Sequence, residues 1–425
     1  MLKFLPQSVY ARNVLTLMTG TSVAQAIPIA VSPILTRIYG PEQFGLFALF
    51  MAVVSIVGVL VTGRYEQAIV LPKHDRDAMQ VVALSVLLSF GLSCLLLVVV
   101  VMFNTPIAVF FGNRDLAPWL YWVPLSTMLT GVYQSLNYWS NRKSQYKRLA
   151  ISRTLQSGCT SGGQLAGGGV GTGGLVGGQM AGQLLSVLAL VYMIWQEDRK
   201  FISGIRRARI VILAKKYINF PKFLILAHGF NTASSQMPVM LLGALFSASS
   251  AGFYNLTQRV LGAPITLVSG ALGDVFRQEA SHAYAHHGNC REVYLRTLRR
   301  LILISVLPFS VFYFIAPDFF SWVFGNEWRI AGEYACILTP MFFLRFVVSP
   351  LSSVFIVAEA QRLDLLWQIL LFVMVVVSLL FGYYLKEVRL ALIFFSVAYS
   401  VCFIVNLLIS YRLSCGALIK KVAAQ

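Results

Sequence analysis

Long apolar runs separated by short, mostly basic segments fill the chain from end to end. A helix needs about 20 such residues to cross a hydrocarbon layer. Uninterrupted apolar windows place six spans at 14–35, 44–63, 78–102, 116–139, 150–170 and 174–195, and six more at 223–246, 252–273, 301–323, 334–357, 365–384 and 390–410. The expected fold class is an all-α integral membrane protein with about twelve transmembrane helices. They divide into an N-terminal six-helix bundle over 1–200, a basic interfacial connection over 201–222 and a C-terminal six-helix bundle over 223–425. The fifth and sixth spans are the weakest, because 12 of the 25 residues in 158–182 are glycine. No charge falls between Leu155 and Leu190, so the segment reads as two helices whose small residues let their backbones pack closely, with Gly168 and Gly177 expected among the contacts.

Composition closes off other classes. Of 425 residues, 57% are hydrophobic and 12% charged, against about a quarter charged in a soluble domain. Twelve spans leave no room for a separate soluble domain. The apolar run after Arg12 is too long for a signal peptide and no small-residue cleavage pattern follows it, so it is expected to stay as the first span. The six cysteines are scattered, with no close pair.

The net charge of +18 admits nucleic acid, an anionic surface or membrane orientation as explanations. Position decides among them. With twelve spans both termini share a side; 27 Lys and Arg fall on that side and five on the other. This asymmetry orients the termini to the cytoplasm and removes the case for nucleic acid. Trp119, Trp122, Tyr138, Trp139, Tyr192, Trp195, Tyr383 and Tyr384 lie near span ends, where interfacial aromatics belong. In the basic connection, Ile205, Ile210, Val211 and Leu213 alternate with Arg206, Arg207, Arg209, Lys215 and Lys216, a pattern for an amphipathic helix on the inner leaflet.

The halves resemble each other. IYGPEQFGLFAL (38–49) lies over LFSASSAGFYNL (245–256) at an offset of 207, and Phe111-Gly112-Asn113 recurs as Phe324-Gly325-Asn326, followed by Pro124 and Pro340. Six helices per half make the repeats parallel, related by a pseudo-two-fold along the membrane normal, as in transporters.

Chemistry is sparse. The short outer loops hold no paired carboxylates or histidine cluster, so an enzyme, including a membrane-bound one that acts on glycosyl groups, is a poor reading, and no cofactor or metal is expected. His282, His286, His287 and Cys290 fall in an inner loop and read as a solvated basic segment. The informative residues are cations inside spans: Arg345 near the middle of the tenth, and Arg259 about 10–12 Å below the outer end of the eighth at 1.5 Å per residue. An arginine at such depth costs about 2.5–3.5 kcal/mol unless it faces a cavity or partner. No Asp or Glu lies mid-span, which makes an anionic substrate the expected counter-charge. Glu66, beside Arg64 near the inner end of the second span, is the closest carboxylate. Gln25, Asn231, Gln236 and Gln258 add polar groups at depth, and Pro28, Pro33, Pro238 and Pro264 make their helices bendable. A drug or cation exporter calls for a deep carboxylate to meet its cargo, and no span has one at mid-depth.

Two stretches carry a family resemblance: 22–72, with SVAQAIPIAVSPILTRIYGPEQFGLFALF and RYEQAIVLP, and 236–280, with GFYNLTQRVLGAPITLVSGALGDVFRQEA. They resemble the bacterial O-antigen and exopolysaccharide flippases of the multidrug/oligosaccharidyl-lipid/polysaccharide exporter superfamily. The resemblance implies a cationic central cavity, alternating access, and undecaprenyl-pyrophosphate-linked oligosaccharide as substrate, with membrane lipids, a polysaccharide polymerase and glycosyltransferases as partners. Arg259 sits in the matching QRVLGAP segment, and Arg64 with Glu66 in RYEQAIVLP. Arg345 lies outside any matched motif.

Overall fold

The computed structural model describes residues 9–416, and Lys3, Lys420 and Lys421 of the charge census lie outside them. Every regular element among the described residues is helical. The chain divides into two compact units between Gln236 and Met237, inside a helix.

In the first unit, α1 (Val9–Ile38), α2 (Pro41–Gly58), α3 (Asp75–Phe110), α4 (Val123–Arg142), α5 (Tyr146–Ala166) and α6 (Thr172–Ile202) occupy the six expected spans. Pro28 and Pro33 lie within α1; Ser32 and Thr36 donate to the Pro28 and Pro33 carbonyls at 2.5 and 3.1 Å. The glycine-rich stretch is two helices, as its composition predicts, with glycines at four-residue spacing forming the seam. A Cβ on Gly163 would stand 2.8 Å from the Gly178 Cα, and one on Gly167 2.5 Å from the Gly174 Cα. The contacting set differs in part from the expected one: Gly177 faces open space and Gly168 abuts the Ile38 side chain of α1.

The second span departs from a straight helix. α2 stops at Gly58, a turn carries the chain through Gly63 and Arg64, both left-handed at φ 61°, and a 3-10 helix spans Tyr65–Val70. A non-glycine residue seldom takes that conformation without surrounding support. Here Arg142 supplies some, donating from Nη1 to the Ile69 and Val70 carbonyls.

The basic connection forms α7 (Arg207–Lys216). Ile210 and Leu213 are buried against the first unit, together with Tyr217, while Val211 is exposed, so the single apolar face expected of it is split. Its approach is fixed by Gln80 of α3, which donates to the Gly204 carbonyl and accepts from the Arg206 amide, and by Arg209 paired with Asp77. Trp139 is another correction. It is fully buried rather than interfacial, because its indole N–H serves a buried carboxylate.

α8 (Ile225–Leu245) spans the division. The second unit continues with α9 (Ala248–Pro264), α10 (Gly270–His287), α11 (Arg291–Phe324), α12 (Arg329–Leu351), α13 (Gln361–Tyr384) and α14 (Val388–Ser414). A π-helical stretch, Ile265–Ser269, follows Pro264 and joins α9 to α10. Proline removes a backbone donor, and a local π turn is a common accommodation. The histidine segment is therefore helical and not a loop: His282, His286 and His287 lie on α10.

Local structure follows the internal repeat. α2 starts at Pro41 and α9 at Ala248, which preserves the 207-residue offset. Phe110 and Phe324 end α3 and α11, glycines of positive φ follow at Gly112 and Gly325, and each is followed by a 3-10 turn. The proline match does not carry over: Pro124 begins α4, whereas Pro340 lies inside the unbroken α12.

Seven helical segments of the described residues are long and apolar enough by themselves to cross a membrane. α3 and α11 expose most of their apolar surface, including Leu95, Val98, Val101, Leu303 and Leu307. Surface of that extent needs hydrocarbon rather than water around it. The protein is an all-α, multi-pass membrane protein.

Candidate functional site

The unwound end of the second span builds a buried polar cluster in the first unit. Glu66 is fully buried, accepting a hydrogen bond from the Thr62 hydroxyl and forming an ion pair with Arg64 at 3.3 Å. Ending α2 at Gly58 is what folds Arg64 back onto Glu66, two residues on. Arg64 is mostly buried and its Nε finds no hydrogen-bond partner among the described residues. Tyr138 of α4 and His228 of α8 lie within electrostatic reach of the pair, and the His228 ring meets the Gln67 amide at 3.4 Å. The Tyr65 hydroxyl donates to the Ala214 carbonyl, tying this cluster to α7. Sequence reasoning found Arg64 and Glu66 but missed Thr62, Tyr138 and His228. Thr62 stands four residues before Glu66, a spacing that hinted at the bond.

Gln25 is exposed on α1, and Asn231 and Gln236 lie on α8, exposed and half-buried. In the second unit, Gln258 and Arg259 are half-buried neighbours on α9, and Arg259 already interacts within the protein, so the premise that it lacks a protein partner fails. Arg345 is half-buried on α12 with its guanidinium 5.9 Å from the Phe342 ring centroid, a cation–π contact. Tyr254 of α9 lies within electrostatic reach of Arg345 and of Tyr399 on α14. The ion pairs of the second unit among the described residues are Arg296–Glu279, Arg329–Asp318 and Arg389–Glu333, none of which involves Arg345. The helices carrying these arginines are held in register by Thr257, which donates to the Ala331 carbonyl, and by Ser269, which donates to that of Phe346.

A second polar network lies where α4, α5 and α6 end on the basic side. Arg148 binds Asp198 at 2.9 Å and also Glu197, and the Trp139 indole donates to the same Asp198 oxygen at 3.0 Å. Arg148 and Asp198 are both 4% exposed. No sequence signal foretold this network. Nearby, Lys143 and Arg142 bind Asp75. The three histidines of α10 form no set with enough ligands to hold a metal ion, and among the described residues no other such group occurs.

Residues 34–332 match the model of a family described as polysaccharide biosynthesis protein. The succinoglycan biosynthesis transport protein ExoT of Rhizobium meliloti (strain 1021) is 22% identical over 304 residues, 70% of this chain and 59% of that protein. The teichuronic acid biosynthesis protein TuaB of Bacillus subtilis (strain 168) is 23% identical over 154 residues, 36% of this chain and 32% of that one. The matches thus span less than two thirds of either relative. Among solved structures, an inward-facing multidrug resistance MATE family transporter of the MOP superfamily superimposes with a TM-score of 0.67 at 14% identity over 97% of each chain. A MOP superfamily transporter from Pyrococcus furiosus gives 0.62 at 14% identity, covering 95% of this chain and 96% of that one. At such identity the likeness is one of fold. The fold is that of the MOP transporters, and the chain belongs to the polysaccharide biosynthesis protein family.

Proposed function

We propose that this chain is a flippase that carries an undecaprenyl-pyrophosphate-linked oligosaccharide from the inner to the outer leaflet of the bacterial cytoplasmic membrane by alternating access. Membership of a polysaccharide biosynthesis family on a transporter fold is the observation that carries the reading. Arg345 adds a chemical reason: a cation deep in an apolar helix, with an aromatic ring but no carboxylate against it among the described residues, suits a diphosphate that arrives and leaves. In this reading Arg259 adds to the positive field. Glu66 fixes the orientation of Arg64. Gln25, Asn231, Gln236 and Gln258 offer hydrogen bonds to sugar hydroxyls, while the polyprenyl tail stays in lipid. Neither α1 nor α8 has the Asp or Glu that an organic-cation exporter calls for. A polymerase and glycosyltransferases are the proposed partners of the pathway.

The test is restoration of surface polysaccharide in a flippase-null strain, normalised to membrane-inserted protein. The wild-type chain is expected to restore it, Arg345→Ala to insert normally yet fail, and Arg345→Lys to recover part, since lysine keeps the charge and loses the guanidinium fork. Wild-type restoration by Arg345→Ala would overturn the role of this charge. No restoration by the wild-type chain in the strain that lacks its own gene would overturn the transport reading.

A further inference from the structure

We propose that the free face of α7, with the cavity beside it, is a binding surface for anionic glycerophospholipid of the bilayer, separate from the path of any transported molecule. α7 and its approach carry Arg206, Arg207, Arg209, Lys215 and Lys216 and no acidic residue. One side of the helix is used by the protein: Ile210, Leu213 and Tyr217 are buried in the core of the first unit. At 100° per residue, Val211 and Ile212 belong to the other side, together with Ala208, Lys215 and Lys216. They are 48% and 57% exposed, and Ile205 and Ile218 at the two ends are exposed as well. A helix already docked through one apolar stripe gains nothing in water from a second. Apolar side chains with lysines beside them match the boundary between lipid head groups and acyl chains, where the lysine stems lie along the apolar region and their ammonium groups reach phosphate.

The cavity supplies the rest of the argument. It is an open depression of about 680 Å³ lined by Lys73, His74, Asp75, Arg76, Asp77, Phe201 and Arg209. Its carboxylates are already engaged, Asp75 by Arg142 and Lys143, and Asp77 by Arg209. Lys73 and Arg76 are exposed and have no ion-pair partner among the described residues, so the lining presents uncompensated positive charge next to the helix. A phosphodiester head group answers the cavity, and its acyl chains answer Val211 and Ile212. Free phosphate satisfies only the first of these, which is why the two features together select a lipid. Each basic residue near such a surface adds to its attraction for an anionic leaflet, and the cluster sums these contributions.

The test uses the purified full-length protein in mixed micelles containing phosphatidylglycerol or phosphatidylcholine, without any polyprenyl lipid, so that its result is independent of the transport reading. Lipid adducts retained on the protein are measured by native mass spectrometry. Phosphatidylglycerol is expected to be retained several-fold over phosphatidylcholine. The preference should vanish in Lys73→Gln/Arg76→Gln/Lys215→Gln/Lys216→Gln and persist in the matching variant with Lys→Arg and Arg→Lys changes, which controls for folding. Val211→Ser/Ile212→Ser should weaken retention of both lipids. Equal retention of the two lipids by the wild type, or an unchanged preference in the Gln variant, overturns the proposal. So does displacement of phosphatidylglycerol by millimolar inorganic phosphate, which would leave an anion site without lipid specificity.

Discussion

Gly163 of α5 and Gly178 of α6 meet backbone to backbone, with space for no side-chain atom between them: a Cβ on Gly178 would come against the Gln164 amide nitrogen, and one on Gly163 against the Gly178 Cα. Without a hydrophobic drive between helices in lipid, such close approach is what holds a pair together. Gly178→Ala and Gly174→Ala should therefore each cost about 1–3 kcal/mol through overpacking. Gly177→Ala should be neutral, since its Cβ would meet nothing. Thermal unfolding in detergent, followed by size-exclusion chromatography, separates the two groups. Equal stability of Gly178→Ala and Gly177→Ala would contradict the seam.

Arg148 and Asp198 form a buried pair whose removal is asymmetric. Arg148→Ala strands a carboxylate that only Glu197 and the Trp139 indole would surround, and a loss of about 3–5 kcal/mol is expected. Asp198→Asn keeps an acceptor for Trp139 and leaves Glu197 to pair with Arg148, so its loss should be clearly smaller. The yield and melting temperature of the purified variants check the order. Indistinguishable variants would place no weight on the pair.

The docking of α7 should respond to acid. The Arg209 hydrogen bond, aided by its charge, holds the Asp77 carboxyl below the ordinary aspartate range, and a Lys143 hydrogen bond first, then Arg142, does the same for Asp75. A carboxyl depressed in the folded state contributes above its unfolded value, about 3.9, and loses that contribution as pH falls through the folded value. A spin label at Ala214→Cys, on the side of α7 packed against the core, should be immobile near neutral pH and gain mobility below about pH 4. Asp77→Asn should raise its mobility near neutral pH and flatten that response. A label equally immobile in both proteins would show that Ile210, Leu213 and Tyr217 suffice to hold the helix.

Orientation can be read with single cysteines in a cysteine-free background. Arg114 and Asn326, exposed beside the two glycine turns, are the proposed outer positions; Ser203 and Asn289 are the proposed cytoplasmic ones and are exposed as well. In intact cells an impermeant thiol reagent should label the first pair and spare the second until the membrane is opened. Labelling of Ser203→Cys from outside would reverse the orientation drawn from the 27 to five distribution of basic residues.

The sequence by itself determined the all-helical membrane class, the positions of the long helices, the helical nature of 158–182 and the duplicated start of α2 and α9. These are properties of short windows, because the transfer of a run of side chains into hydrocarbon and the volume of a glycine do not depend on distant residues. Only the tertiary structure decided which way each residue points and what it meets. Hydropathy placed Trp139 at an interface, but Asp198, 59 residues on, draws its indole N–H into the protein. The same window reading drew the second span straight to 63. Arg64 and Glu66 instead satisfy each other in a turn, since a buried carboxylate without a partner costs more than a broken helix end. Gly177 and Gly178 are identical in any pattern, yet 100° of helical rotation puts one against α5 and leaves the other facing open space.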